Sequence, residues 1–81
     1  MEDKTLDPAA LDELLGGLIR DNQDKVVGWM RGEPGCWGFL AGKSVAACRQ
    51  DLGRPLADGE RRLVWHRLWQ WLEHIKADAL S

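Results

Sequence analysis

The sequence predicts an all-α fold, a compact four-helix domain, and three observations lead to that prediction. Apolar residues recur at spacings of three and four along most of the chain, which is the period of one helix face. No alternation of apolar and polar residues is long enough to predict a strand. Each periodic segment is flanked by residues that typically start or stop helices. The 81 residues suffice for a single domain, 1–81, of which we expect residues 1–5 to be flexible.

The first two helices are predicted before residue 33. Asp7 can cap the first one, and Pro8 suits its first position because the missing N–H costs nothing there. The helix is expected to run to about Arg20, and the polar run 21–24 then interrupts the pattern. A short second helix follows and ends at Gly32, a residue typical of helix C-termini. The apolar face of the first helix consists of Leu11, Leu14, Leu15, Leu18 and Ile19.

The stretch 34–52 predicts the central helix, because it is apolar or small on nearly every side and such helices are buried on more than one side. Gly53 is expected to end it. A fourth helix is predicted over 58–76 with Asp58 as its cap, and the short connection favours an antiparallel αα-hairpin of the two. The arc that should cover the central helix contains Val64, Trp65, Leu68, Trp71, Leu72 and Ile75. A pair between Asp51 and Arg61 is expected to fix the hairpin register.

Charge is divided unevenly along the chain. Residues 1–24 hold seven acids and two bases, a net of −5, whereas residues 25–81 hold six acids and nine bases, a net of +3. The favoured interpretation is that the acidic segment packs over the basic one and neutralises it; the alternative is an anionic partner. The candidates for binding such a partner lie around the junction of the third and fourth helices: Arg49, Arg54, Arg61, Arg62 and Arg67. They support a nucleic-acid-binding module as the alternative function, without sequence-specific readout.

A row of small residues runs along the central helix. Gly38, Gly42 and Ala46 follow one another at intervals of four, with Phe39 beside them, so another helix could approach the backbone closely. The favoured interpretation is that the first or second helix of the same chain covers this row; a partner protein or a second copy of the chain is the alternative. Trp69, at the edge of the apolar arc, is a candidate exposed anchor for a partner.

No catalytic, cofactor or metal site is predicted. Gly42-Lys43-Ser44 resembles the end of a phosphate-binding loop, but Trp37 stands where the pattern needs glycine. His66 and His74 would lie about 12 Å apart on one helix, too far for a shared metal ion. Cys36, near the start of the central helix, is a candidate reactive thiol because the helix dipole favours a thiolate there.

These observations predict a small non-enzymatic helical protein that docks on a larger protein as an accessory subunit, inhibitor or adaptor. A thiol-dependent redox role through Cys36 is the third interpretation. Cys36 and Cys48 would lie about 18 Å apart on one helix, which excludes a disulfide between them. Neither a leader-like apolar segment nor a membrane-spanning run is visible, so a reduced, cytoplasmic protein is expected.

Overall fold

The computed structural model describes residues 6–80, which form four α-helices. The helices are α1 (Pro8–Asp21), α2 (Gln23–Met30), α3 (Cys36–Leu52) and α4 (Asp58–Leu80). No strand occurs within residues 6–80, and the all-α prediction is confirmed. Within that range no helix combines the length and the apolarity needed to cross a bilayer. Residues 1–5, predicted to be flexible, lie outside the described residues.

Glycines in the left-handed conformation set both ends of α3. Gly35, with φ of 86°, precedes its first residue, so the helix begins two residues later than predicted. Gly53, with φ of 71°, follows its last residue, as predicted. An L-residue in this conformation costs about 1–2 kcal/mol, whereas glycine adopts it readily.

The start of α4 is capped by Glu60 and not by Asp58. Asp58 is the first helical residue, and Glu60 Oε1 accepts a hydrogen bond of 2.9 Å from the N–H of Ala57. This is the half of a capping box in which the third helical residue reaches back to the residue before the helix. The helix also continues four residues beyond the predicted end at residue 76.

α3 is the central helix, since α1, α2 and α4 all pack against it. Ser44 is buried within this core, and its Oγ donates a 2.8 Å hydrogen bond to the Leu40 carbonyl, which satisfies the hydroxyl inside its own helix. The most deeply buried side chains come from α1, α3 and α4: Leu11, Leu15, Leu40, Ser44, Cys48, Val64, Leu68 and Leu72.

α2 approaches the start of α3 through a glycine. A Cβ at Gly28 would lie 2.6 Å from Cys36 Sγ, so a side chain there would require Cys36 to move. Cys36 is only 7% exposed as a result. The short helix α2 therefore lies close enough to bury Cys36, the first residue of α3.

An ion pair joins the connection after α3 to the first turn of α4. Arg54 donates from Nη1 and Nη2 to the two carboxylate oxygens of Glu60, both at 2.8 Å. Arg61 lies 3.7 Å from Asp58 on its own helix, so the predicted pair with Asp51 is not the contact that sets the register. At the far end, the rings of Trp37 and Trp69 meet with centroids 5.7 Å apart, which shows that α3 and α4 run in opposite directions.

Candidate partner-binding groove

The row of small residues on α3 lies open. Gly38, Gly42 and Ala46 are exposed, and nothing else in the described chain lies within 4 Å of a Cβ placed at either glycine. The prediction that the first or second helix of the same chain covers this row is therefore wrong. The helices α1 and α2 contact α3 on other sides and leave this row uncovered.

The open row forms part of an apolar groove. The groove has a volume of about 480 Å³, with Gly38 and Gly42 in its floor, Trp37 and Trp65 as its aromatic walls, and Arg49 at one end. Because the floor lacks bulky side chains, an incoming backbone can approach that of α3 closely. We call this the α3 groove, and it is lined by Trp37, Gly38, Ala41, Gly42, Val45, Ala46, Arg49 and Trp65.

Trp65 belongs to the groove and not to the core arc in which the sequence placed it. Its side chain is 38% exposed, whereas Val64 and Leu68 beside it are fully buried. The cause lies on α3, since Gly38 and Gly42 carry no side chains that could cover the indole. Trp71, the other tryptophan of the predicted arc, is half-buried and packs against the core.

The groove continues towards the connection between α3 and α4. A second cavity of about 390 Å³ shares Ala46 and Arg49 with it and extends to Gly53 and Pro55. The stretch of α3 from Gly38 to Arg49 is about 17 Å long, which equals about three helical turns. The open surface is thus long enough for a short helix to lie along it.

Trp69 lies at a junction of three helices. Its ring makes edge-to-face contacts with Trp29 at 5.5 Å and with Trp37 at 5.7 Å between centroids, which ties α2, α3 and α4 together. The side chain nevertheless remains 45% exposed. Trp69 therefore combines a structural role with an accessible edge close to a groove wall.

Phe39 lies beside the small residues on the side of α2. The ring is 37% exposed, and two ammonium groups approach it: Lys25 Nζ at 5.0 Å and Lys43 Nζ at 5.6 Å from its centroid. These are cation–π distances. They place two positive charges at an apolar side chain on the exposed face of α3.

The five arginines predicted to form one anionic-partner site are divided among different contacts. Arg67 turns to α1, where Nη2 lies 2.6 Å from Asp12 Oδ2. Arg54 is engaged by Glu60, and this ion pair with the N–H of Ala57 lowers the pKa of the Glu60 carboxyl to about 2. Of these five arginines, Arg49 and Arg62 have no carboxylate oxygen of residues 6–80 within 4.0 Å of their guanidinium groups.

Asp12 also joins the acidic first part of the chain to the basic remainder. Its Oδ1 accepts a 3.3 Å hydrogen bond from the indole N–H of Trp71, in addition to its bonds from Arg67. The hydrogen bond from the Arg67 guanidinium is the main reason that the pKa of Asp12 is lowered and that of Arg67 is raised. One acid of α1 thus reaches an arginine of α4, and Arg49 is left facing the groove.

The two thiols are buried in the described chain, and both histidines are exposed. Cys36 is covered by α2, and Cys48 is 1% exposed, with burial raising the pKa of its thiol. Both cysteines are unpaired. His74 Nε2 lies 3.6 Å from Asp78 on the exposed side of α4. Among residues 6–80, no three His, Cys, Asp or Glu side chains are grouped so that they could hold a metal ion.

Sequence reasoning identified the floor of the groove but missed its walls. The sequence assigns Trp65 to the core arc and Arg49 to a basic cluster, and the surface that they share with Trp37 depends on the packing of α4 on α3. The available signal was spacing, because Trp65 and Trp69 lie four residues apart and therefore on one face of α4.

Comparison with known proteins gives no assignment for this surface. No protein family, curated protein or solved structure matches the chain.

Proposed function

We propose that this chain is a non-enzymatic docking module that binds a larger protein through the α3 groove. The observation that carries the proposal is an apolar channel left open along three turns of the central helix. Glycine inside a helix costs about 0.5–1 kcal/mol relative to alanine. Gly38 and Gly42 both carry that cost on a face where no contact within the described chain requires it. A partner that lies against α3 gives both glycines a purpose.

The residues around the groove are suited to a protein interface. Exposed apolar surface that is continuous and rimmed by polar residues marks interaction sites more often than scattered apolar side chains do. Trp65, Trp69 and Phe39 each leave more than a third of their surface in water, and all three are large enough to contribute strongly when covered. The helix that forms the floor is held by three others, so binding costs its backbone little conformational entropy.

The two alternative functions have less support. Nucleic-acid binding would need several free cationic side chains on one surface, but Arg54 and Arg67 are engaged by Glu60 and Asp12. A redox role would need an accessible thiol, whereas Cys36 is 7% exposed.

The decisive variant is Gly42→Leu, which fills the groove without disturbing the described core. The matched control is Gly17→Leu in α1, because Gly17 is also a mid-helix glycine with nothing within 4 Å of its Cβ. Both changes replace glycine by a better helix former, so we expect both variants to keep or slightly raise their melting temperature. Tagged wild-type protein, and the Gly17→Leu variant, should capture the same proteins from native lysate at about 200 mM salt.

Gly42→Leu should lose those proteins selectively. If it captures the same set as the Gly17→Leu control, the groove is not the binding surface and the proposal fails. If nuclease treatment or raised salt removes everything captured, charge-driven association with nucleic acid is the better explanation.

A further inference from the structure

We infer that the occupant of the α3 groove is an acidic amphipathic helix, which sets small residues against α3 and a carboxylate against Arg49. This inference rests on the proposed docking function and specifies the chemistry of the partner. It is carried by the charge around the groove, by the shape of the floor and by a closely related contact inside the protein.

The charged groups on this surface are positive. Arg49 is the one ionisable residue among the eight that line the groove, and among residues 6–80 no carboxylate oxygen lies within 4.0 Å of its guanidinium. Lys25 and Lys43 add two ammonium groups at Phe39. A partner whose apolar face is flanked by Asp or Glu would complement these cations, while a basic partner would be repelled.

The floor favours a helix over an extended peptide. A peptide that binds by strand addition needs an open sheet edge, and the described chain has no strand. Small residues four apart on α3 instead suit a second helix at close approach, as in other small-residue helix contacts. The floor from Gly38 to Arg49 matches about three turns of such a helix.

A related contact exists within the protein, between its helices α1 and α4. On α1, Asp12 accepts hydrogen bonds from Arg67 and from the indole of Trp71. Four residues later Gly16 lies beneath the same indole, with its Cβ position 3.4 Å from Trp71 Cη2. An acid followed at four residues by a small residue therefore satisfies an arginine and a tryptophan of α4.

The α3 groove offers the same two residue types without the acid. Arg49 and Trp65 both line it, and no described acidic residue does. The occupant should therefore resemble α1 in pattern, with Asp or Glu four residues before Gly, Ala or Ser on its contacting face. A second copy of this chain that docks its own α3 groove here fits less well, because that surface brings another Arg49 and no acidic residue to meet the first.

A displayed peptide library tests the chemistry directly. The probe is a set of 18-residue peptides with a fixed helical frame, in which the contacting positions vary among Gly, Ala, Ser and Leu and the flanking positions among Glu, Asp, Gln and Lys. Selection against the intact wild-type protein should enrich peptides with the acid and small-residue spacing described above. Enriched peptides should lose binding to Gly42→Leu and keep it to Gly17→Leu.

Arginine variants separate a specific carboxylate contact from general attraction. Arg49→Gln should weaken the enriched peptides by about tenfold or more, as loss of a charge-assisted hydrogen bond does. The matched control is Arg62→Gln, since Arg62 is also exposed with no carboxylate within 4.0 Å in residues 6–80, yet lies outside the groove lining. It should weaken them by less than about threefold.

Each contrary result has a distinct meaning. Enrichment of neutral or basic peptides that still depend on Gly42 would overturn the acidic occupant and leave the docking proposal standing. Peptides indifferent to Gly42→Leu would count against both. No enrichment at all, or displacement of the selected peptides by a DNA duplex or by phosphatidylserine vesicles, would overturn the helix as occupant. So would a wild-type dimer, seen by sedimentation, that Gly42→Leu dissolves.

Discussion

Two surfaces of this protein consist of similar residues, but one is covered by a neighbouring helix and the other is open. The α1–α4 seam consists of Asp12, Gly16, Arg67 and Trp71. The α3 groove likewise presents glycine, arginine and tryptophan, but no acid. In the seam a neighbouring helix of the chain supplies the carboxylate and covers the tryptophan, whereas in the groove Trp65 stays 38% exposed. The difference shows that exposure here depends on which helix lies alongside and not on residue type.

The largest expected contrast is between the two tryptophans. Trp71→Ala should lower the free energy of unfolding by about 3 kcal/mol, because it removes a ring packed on the core and leaves Asp12 with one donor fewer. Trp65→Ala should cost only about 1 kcal/mol, since its ring borders open groove. Urea denaturation followed by circular dichroism measures both. Equal losses would mean that the groove wall is as much a part of the core as the seam.

Leucine in place of glycine should change the stability of the protein in opposite directions at the two surfaces. Gly16→Leu must fit beneath Trp71, whose ring lies 3.4 Å from the Cβ position, and we expect overpacking to destabilise the protein by about 1–3 kcal/mol. Gly42→Leu should leave stability unchanged or raise it by up to about 1 kcal/mol, because the site is open and leucine favours the helix. Thermal melts of the two purified variants test this. A destabilised Gly42→Leu protein would show that something covers the floor.

The smallest expected effect is the pH dependence contributed by the seam. The pKa of Asp12 is lowered in the folded protein, mainly by its hydrogen bond from Arg67. Its contribution to stability is therefore present above the ordinary pKa of an aspartic acid and is lost as the pH falls through the lower folded value. Glu60 behaves in the same way and loses its contribution towards pH 2, since its folded pKa is about 2.

Variants can assign that acid dependence to the seam. Asp12→Asn should flatten the fall in melting temperature between about pH 5 and pH 2, whereas Arg49→Gln in the groove should leave its slope unchanged. Because both ion pairs are partly exposed, the change should be modest and should shrink as salt is added. If Arg49→Gln also changes the slope, Arg49 has an acidic partner within the chain.

The helices and the core faces were predictable because local chemistry determines them. The period of Leu11, Leu15 and Ile19 defines a buried face wherever α1 packs, and Gly53 ends α3 by its own backbone preference. The cap of α4 was harder to predict, because Asp58 and Glu60 are both acids in its first turn. A shift of the helix start by a single residue decides which of them caps the helix, and here Glu60 accepts from the N–H of Ala57.

The open side of α3 could not be predicted from its own residues. A row such as Gly38, Gly42 and Ala46 has the same sequence whether a helix covers it or not, and coverage depends on the directions taken by α1 and α2. Trp65 was misplaced for the same reason, because the edge of an apolar arc is buried only if the opposing helix has side chains to meet it. The row of small residues is therefore open because of how the helices are arranged, and the composition of α3 alone does not reveal this.

The two left-handed glycines beside α3 have a consequence for chirality. Gly35 and Gly53 hold φ values of 86° and 71°, a region that belongs naturally to mirror-image residues. The helix α3 is thus flanked at each end by a position whose backbone conformation suits a D-residue better than an L-residue. A chemically synthesised chain with D-alanine at both sites could follow the same backbone path, with fewer conformations open to its unfolded form. The two ends of α3 are therefore the natural places to stiffen this protein without changing any of the eight residues that line the α3 groove.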